Sequence, residues 1–206
     1  MIEIRVLASG SKGNCYHVTD GSTPLLIECG ISFKDIRKKL NFNTSGIAGC
    51  LVTHEHKDHS KGLSELLKAG IECYMSPGTA KAIGIKHHRI KRVQPKKQFK
   101  LGTWTVLPFD VQHDTSEPVG YLLMNEQREK LLFATDTYYI RYRFPGLTHI
   151  MIECNYSLPI LIENIEAGRV PRAMKTRLLR SHFSLENVKE FLKANDLSKV
   201  QEIWLI

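Results

Sequence analysis

A chain of 206 residues with 42% hydrophobic content and 8% aromatic residues is long enough to bury one substantial core. Met1 to Leu7 lacks the basic segment and apolar core of a secretory leader, and no apolar run approaches the roughly 20 residues needed to cross a bilayer, so a cytoplasmic protein with no membrane contact is expected. The formal net charge of +8 excludes few partners but favours those that carry phosphate.

Ile2 to Leu7 alternates apolar and charged residues and predicts a strand. Ser9-Gly-Ser-Lys-Gly13-Asn14 predicts a hairpin turn into a second strand through Val18, and Leu25 to Cys29 predicts a buried strand. Ser32 is placed to cap a helix from Phe33 to Leu40. The apolar run Ile47 to Val52 leads into Thr53-His54-Glu55-His56-Lys57-Asp58-His59, and a helical stretch continues from Asp58 to Ala69. Ile71 to Met75 predicts a strand, and Ser76-Pro77 opens a helix to Ile83 with Pro at the first helical position. A basic connection follows, from Lys86 to Arg92 and on through Lys96, Lys97 and Lys100. Such a run is ordinarily a solvated face. Its position between two predicted structured parts also suits a phosphate-bearing partner, although it lacks the interleaved aromatics of a base-stacking platform.

Strands are predicted over Thr103 to Val111, Val119 to Met124 and Lys130 to Ala134, the last two joined by the turn at Asn125 to Arg128, and again over Ile150 to Cys154. Helices are predicted over Leu158 to Ala167, Pro171 to Arg180 and Leu185 to Ala194, the last capped by Ser184, before a final apolar strand from Val200 to Ile206. With no linker or repeat, the pattern predicts a single mixed α/β domain over residues 1–206. The five cysteines stand singly, mostly in strand-like runs, and predict buried free thiols in a reducing compartment.

The run from His54 to His59 places three imidazoles and a carboxylate in six consecutive positions. Imidazole nitrogen and carboxylate oxygen suit zinc, manganese or iron, depending on geometry. A strand ending at Thr53 releases His54 and His56 from a tight turn so that both reach one ion, while Asp58 and His59 reach a second. The pattern predicts a two-metal site. His17, His87, His88 and His149 lie on strands or in the basic segment and predict no ligand role.

H-x-H-x-D-H resembles the signature of metallo-β-lactamase-fold hydrolases, and the resemblance extends along nearly the whole chain. It implies a four-layer α/β/β/α sandwich and a dinuclear metal-dependent hydrolase with two divalent ions, zinc first and manganese as the alternative. By motif, His54, His56 and His113 would hold one ion, Asp58 and His59 the second, and Asp136 in Leu132-Phe-Ala-Thr-Asp136 would bridge them. Glu28 stands where the family usually has Asp, and its implied role is to orient a ligand. The family's final metal His has no counterpart, so the resemblance leads to the expectation that the native chain continues past Ile206 with a His within a few residues. Ser181-His182-Phe183-Ser184 resembles the H-x-S/T element of tRNA 3′-end-processing ribonucleases, which implies that His182, or else Asp58, assists the departing oxygen and that Ser184 approaches the substrate. The loop of Ser11 and Asn14 lies near the metals in the phosphodiesterase branches, which implies a substrate contact. Asp114, Glu117 and Asn155 are weaker candidates for supporting roles.

The metal motif names hydrolysis but not the bond, because one fold hosts many substrates. Asp58, the H-x-S element and the positive charge favour a phosphodiester, attacked by hydroxide generated on the ions. Within that branch the chain resembles small phage anti-Pycsar proteins, implying cyclic CMP or cyclic UMP as substrate and immune evasion as the role. The alternatives are a 5′ exonuclease or other nuclease on DNA or RNA, and a non-catalytic nucleotide-binding protein. A homodimer is expected.

Overall fold

The computed structural model describes residues 1–206. Alternation along the strands sorts side chains between two faces, and that sorting sets the layers. The first sheet runs in sequence order through β1 (Glu3–Ala8), β2 (Cys15–Thr19), β3 (Leu25–Ile27), β4 (Cys50–Leu51), β5 (Cys73–Met75) and β6 (Ile90–Arg92). The second holds β7 (Phe99–Leu101), β8 (Trp104–Asp110), β9 (Val119–Met124), β10 (Lys130–Ala134), β11 (His149–Ile152) and β12 (Glu202–Leu205), also in sequence order. In β3, Leu25 and Ile27 join the central core while Leu26 faces the outer layer; in β10, Leu131 and Phe133 face inward while Leu132 and Ala134 face out.

The central core is therefore built by both sheets, with Tyr16 meeting Phe133 edge-on at 5.4 Å between ring centroids. Outside the first sheet pack α1 (Phe33–Lys39), α3 (Leu63–Lys68) and α4 (Pro77–Ile83), contributing Ile36, Leu66, Leu67 and Ala80. Outside the second packs α7 (Leu185–Lys193), contributing Val188 and Phe191. The order helix, sheet, sheet, helix is the four-layer sandwich expected. Complete burial of a leucine or phenylalanine contributes about 1.5–3 kcal/mol, so the inner faces of β3, β8, β9 and β10 contribute strongly to stability.

Two expectations are corrected. The helix expected from Asp58 to Ala69 is broken into α2 (Lys57–Ser60) and α3, because Gly62 donates its N–H to the Cys29 carbonyl at 2.7 Å and its added Cβ would lie 2.3 Å from the Ile31 carbonyl oxygen. The basic connection contains β6 and the approach to β7. Its charges sit on a sheet edge, where Lys and Arg discourage pairing with another chain. The remaining helices, α5 (Leu158–Glu166) and α6 (Arg172–Ser181), have only Leu161 and Ser181 buried. No helix is long and apolar enough to cross a membrane.

Candidate metal centre

Glu28 follows β3, the histidine run follows β4, His113 follows β8, Asp136 follows β10 and Glu153 follows β11. All five positions lie beyond the carboxyl ends of strands, the usual place for ligands in open α/β sheets. The histidine loop is fixed at both ends. Tyr121 donates its hydroxyl to the Val52 carbonyl at 2.7 Å, the Thr53 N–H donates to Glu28 Oε1 at 3.3 Å, and the Ser60 hydroxyl donates to the Glu55 and His56 carbonyls at 2.9 and 3.0 Å. Beneath it the loop of Asn14 locks in, with Asn14 N–H donating to the Asp58 carbonyl at 2.7 Å and Gly30 N–H to the Asn14 carbonyl at 2.8 Å. Gly30 has to be glycine here, since a Cβ would sit 1.7 Å from the Asp58 carbonyl oxygen.

His54, His56, His113 and Asp136 bring one ligand atom each to within 4.8 Å of the others. Asp136 Oδ2 lies 3.5 Å from His54 Nε2, 3.5 Å from His113 Nε2 and 3.4 Å from His59 Nε2, and His113 Nε2 lies 3.4 Å from His56 Nδ1. Ligands 2.0–2.2 Å from a tetrahedral ion are separated from each other by roughly 3.4 Å. Three of the six distances within the set are therefore those of such a tetrahedron's edges, and the same Asp136 oxygen also faces His59. Asp58 Oδ2 stands 3.6 Å from His59 Nε2.

Protonation agrees with the ligand geometry. His113 Nδ1 faces the Ser181 carbonyl at 3.1 Å; a carbonyl only accepts, so Nδ1 carries the proton and Nε2 presents a lone pair to the cluster. Burial and the neighbouring His54 push His113 down to about 4, and the same two causes lower His56, so both are neutral at pH 7. His54 Nδ1 is held by the Thr53 hydroxyl at 2.8 Å while its buried Nε2 has no hydrogen-bond partner. An unpartnered buried nitrogen costs about 1–3 kcal/mol, and a cation at that point would relieve it. His59 is different: burial opposes its charge, but Glu28 and Asp136 outweigh burial and raise it to about 10. The donor set of His54, His56, His113 and Asp136 thus suits a divalent ion.

Glu28 and Asp136 both adopt positive φ, 65° and 44°, a conformation that costs a non-glycine residue about 1–3 kcal/mol. Both strained residues point at the cluster. Glu28 is fully buried, with Oε2 3.6 Å from His59 Nδ1.

A cavity of about 440 Å³ opens over the cluster, lined by 14 residues of which only Ile206 is hydrophobic. Ser11, Asn14, His56, Asp58, His113, Asp136 and His182 all line it. Asn14 also places its Nδ2 3.2 Å from His59 Nε2. Ser184 lies elsewhere: it is buried, and its hydroxyl accepts the Asn187 N–H as the cap of α7. The basic segment also lies apart. Lys86, His87, His88, Lys91 and Arg92 line a separate cavity, and Lys91 pairs with Glu72 at 3.0 Å.

Two residues of the cavity escaped the sequence reading of roles. Glu153 accepts from His182 Nδ1 at 2.5 Å through Oε1, and from the Thr137 and Phe183 N–H groups at 3.0 and 3.2 Å through Oε2. Burial opposes the charged form of His182, but Glu153 outweighs it and leaves the imidazole pKa raised. Asp136, Glu153 and His182 form a second group with ligand atoms within 4.8 Å. Arg177, on α6, adds a cation to the cavity wall. An acid ending an apolar strand, as Glu28 and Asp136 also nearly do, was the available signal for Glu153.

The sandwich and its cluster of imidazoles around a shared carboxylate define the metallohydrolase class. The chain belongs to the β-lactamase superfamily: the family model described as a beta-lactamase superfamily domain matches residues 23–161. It is 33% identical over 194 residues to exodeoxyribonuclease YycJ of Bacillus anthracis, covering 86% of this chain and 70% of the relative. To exodeoxyribonuclease WalJ of Streptococcus pneumoniae it is 28% identical over 215 residues, covering 97% and 79%. The crystal structure of the short form of human tRNase Z superposes with a TM-score of 0.68 at 14% identity, covering 100% of this chain and 96% of that one. That likeness is one of fold.

Proposed function

We propose that the protein is a metal-dependent phosphodiesterase that removes nucleotides from an end of DNA. The observation that carries this reading is the His182–Glu153 pair beside Asp136 of the His54, His56, His113 and Asp136 cluster, at the wall of one polar cavity. His54, His56, His113 and Asp136 would hold one ion, and Asp136, His59 and Asp58 a second. Bound there, the ions would supply an activated water and offset charge on the phosphoryl oxygens.

The chain's own groups do the rest. Arg177 attracts the phosphodiester and orients it by charge-assisted hydrogen bonds. His182 holds a proton on an imidazole made more basic by Glu153 and gives it to the departing oxygen. Glu28 fixes the ring of His59 from behind. The names of the relatives YycJ and WalJ support DNA over other phosphodiesters. A second reading, hydrolysis of a cyclic mononucleotide such as cyclic CMP or cyclic UMP, is supported by a cavity of about 440 Å³, within the range of small-ligand pockets.

A substrate panel with zinc- or manganese-loaded protein tests the reading. Linear single-stranded DNA should be shortened from an end while circular single-stranded DNA survives. Turnover of cyclic CMP or cyclic UMP with DNA intact would establish the second reading instead. A metal-loaded protein inert even towards bis-p-nitrophenyl phosphate would leave a nucleotide-binding protein without the reaction.

A further inference from the structure

Residues 138–143 read Tyr-Tyr-Ile-Arg-Tyr-Arg, and the fold uses them unevenly. Ile140 is buried in the outer core beside α7. Tyr142 is engaged, its hydroxyl donating to Asp110 at 2.7 Å and its ring lying 5.8 Å from the Lys96 ammonium. Tyr138 and Tyr139 remain 37% and 56% exposed. Their hydroxyls, and the guanidinium groups of Arg141 and Arg143, make no hydrogen bond or ion pair within the chain. Two free rings and two free cations thus share one short segment.

That segment is held firmly. The Tyr138 N–H donates to the Gln112 carbonyl at 3.1 Å. The Thr137 hydroxyl donates to the Tyr139 carbonyl at 3.0 Å and accepts the N–H groups of Gln112 and Tyr139 at 2.9 and 3.3 Å. The rings are therefore presented by a fixed backbone, which lowers the entropy cost of using them as a surface.

The location ties the segment to the reaction site. Tyr138 follows Asp136 by two residues, so their Cα atoms are separated by about 7 Å at most. Tyr138, Tyr139, Arg141 and Arg143 border a cavity of about 360 Å³ whose lining also includes Phe183, the residue after His182. Its one acidic neighbour, Glu190, is already paired with Lys193 at 2.8 Å.

We propose that Tyr138 and Tyr139 form a nucleobase-stacking subsite for single-stranded DNA beside the hydrolytic centre, with Arg141 and Arg143 meeting the adjoining phosphates. The proposal rests on the phosphodiesterase reading and names the form in which the substrate enters. Every base offers a π-face, so exposed tyrosines give sequence-tolerant hold, and interleaved cations track the backbone. A duplex hides those faces. The subsite therefore selects strands that are already open.

The test uses metal-loaded protein and a fluorescent phosphorothioate oligothymidylate that resists cleavage, beside a base-free sugar-phosphorothioate chain of equal length. By fluorescence anisotropy the parent should bind the base-bearing chain at least about tenfold more tightly, the order expected for stacking one base. Tyr138→Ala/Tyr139→Ala should erase that preference, and Tyr138→Phe/Tyr139→Phe should keep it, since stacking needs the ring and not the hydroxyl. Equal binding of both chains by the parent would overturn the proposal. So would a preference that survives the double alanine change in a protein that still melts cooperatively. Loss of a dimer in sedimentation of the alanine variant, with oligonucleotide binding intact, would assign the rings to a contact between copies. If the parent binds in this ring-dependent way yet hydrolyses no phosphodiester, the subsite stands and the enzymatic reading falls.

Discussion

Glu153→Gln separates the proposed proton-donating role of the His182–Glu153 pair from that of the candidate metal ligands. The parent carboxylate has four partners, His182 and Asn155 on Oε1 and the Thr137 and Phe183 N–H groups on Oε2. An amide offers one oxygen, and the two backbone donors claim it, which turns the NH2 group towards His182. His182 Nδ1 must then accept instead of donate, and its imidazolium loses a charge-assisted bond of about 1.5–3 kcal/mol. Each 1.4 kcal/mol is tenfold, so kcat at neutral pH should fall by about 10- to 100-fold. Because Glu153 raises the His182 pKa, the protonated acid persists to higher pH in the parent, and the alkaline limb of kcat should move to lower pH in the variant. The same sign holds for stability: the pair's contribution is complete below the ordinary histidine range near 6.5 and fades as pH rises through the folded value. Metal content should be retained, since the His54, His56, His113 and Asp136 ligands are untouched. An unmoved alkaline limb with unchanged kcat would refute the role of the pair, and loss of metal would mean that Glu153 acts as a ligand.

Gly30→Ala forces a Cβ against backbone atoms, 1.7 Å from the Asp58 carbonyl oxygen and 2.6 Å from Asn14 N. Overpacking of that kind costs about 1–3 kcal/mol or more, so a melting scan should show a drop of at least about 2–4 °C together with weakened metal retention; an unchanged scan would mean that the two loops do not buttress each other. Asp20 ties two turns together, accepting from the Ser22 and Thr23 N–H groups at 3.0 and 2.8 Å and from the Thr103 hydroxyl at 2.5 Å. Burial pushes its pKa up, yet those bonds outweigh burial and lower it, so its contribution is present above about pH 4 and lost on further acidification. Asp20→Ala should cost about 1–2 kcal/mol at neutral pH in urea unfolding, with the difference from the parent shrinking in strong acid. Chelation should lower the melting temperature of the loaded protein: an ion present at 1,000 times its Kd stabilises by about 4 kcal/mol, and a chelator-insensitive melt would argue against a bound ion.

What the sequence made legible were features with local causes. Ser76-Pro77 announces α4 because its cap and first position need no distant partner, and the Ser76 hydroxyl does accept the Thr79 N–H at 3.1 Å. The strands β9 and β10 appear at the expected residues because their apolar runs are bounded by the Asn125 turn. By contrast, β6 is a charged edge strand whose existence depends on β5 beside it. The break at Gly62 depends on the approach of Cys29 and Ile31 from the loop after β3. The site divides in the same way. H-x-H-x-D-H is contiguous and so readable. Glu153 gains its role only when β11 aligns parallel to β10, with Ala134 beside Ile152. Arg177, Tyr138 and Tyr139 matter through exposure and direction, which no alternation of residue types encodes.

The account rests on a carboxylate that serves two ligand groups at once, since Asp136 Oδ2 lies 3.4–3.5 Å from His54, His113 and His59 together. Elemental analysis of parent and Asp136→Ala proteins, each reconstituted with zinc and freed of excess ion, tests that arrangement most directly. The account predicts that the parent retains zinc and that Asp136→Ala, still folded by circular dichroism, retains clearly less, since only the three histidines remain. Equal zinc in the two proteins, or none in the parent, would contradict it.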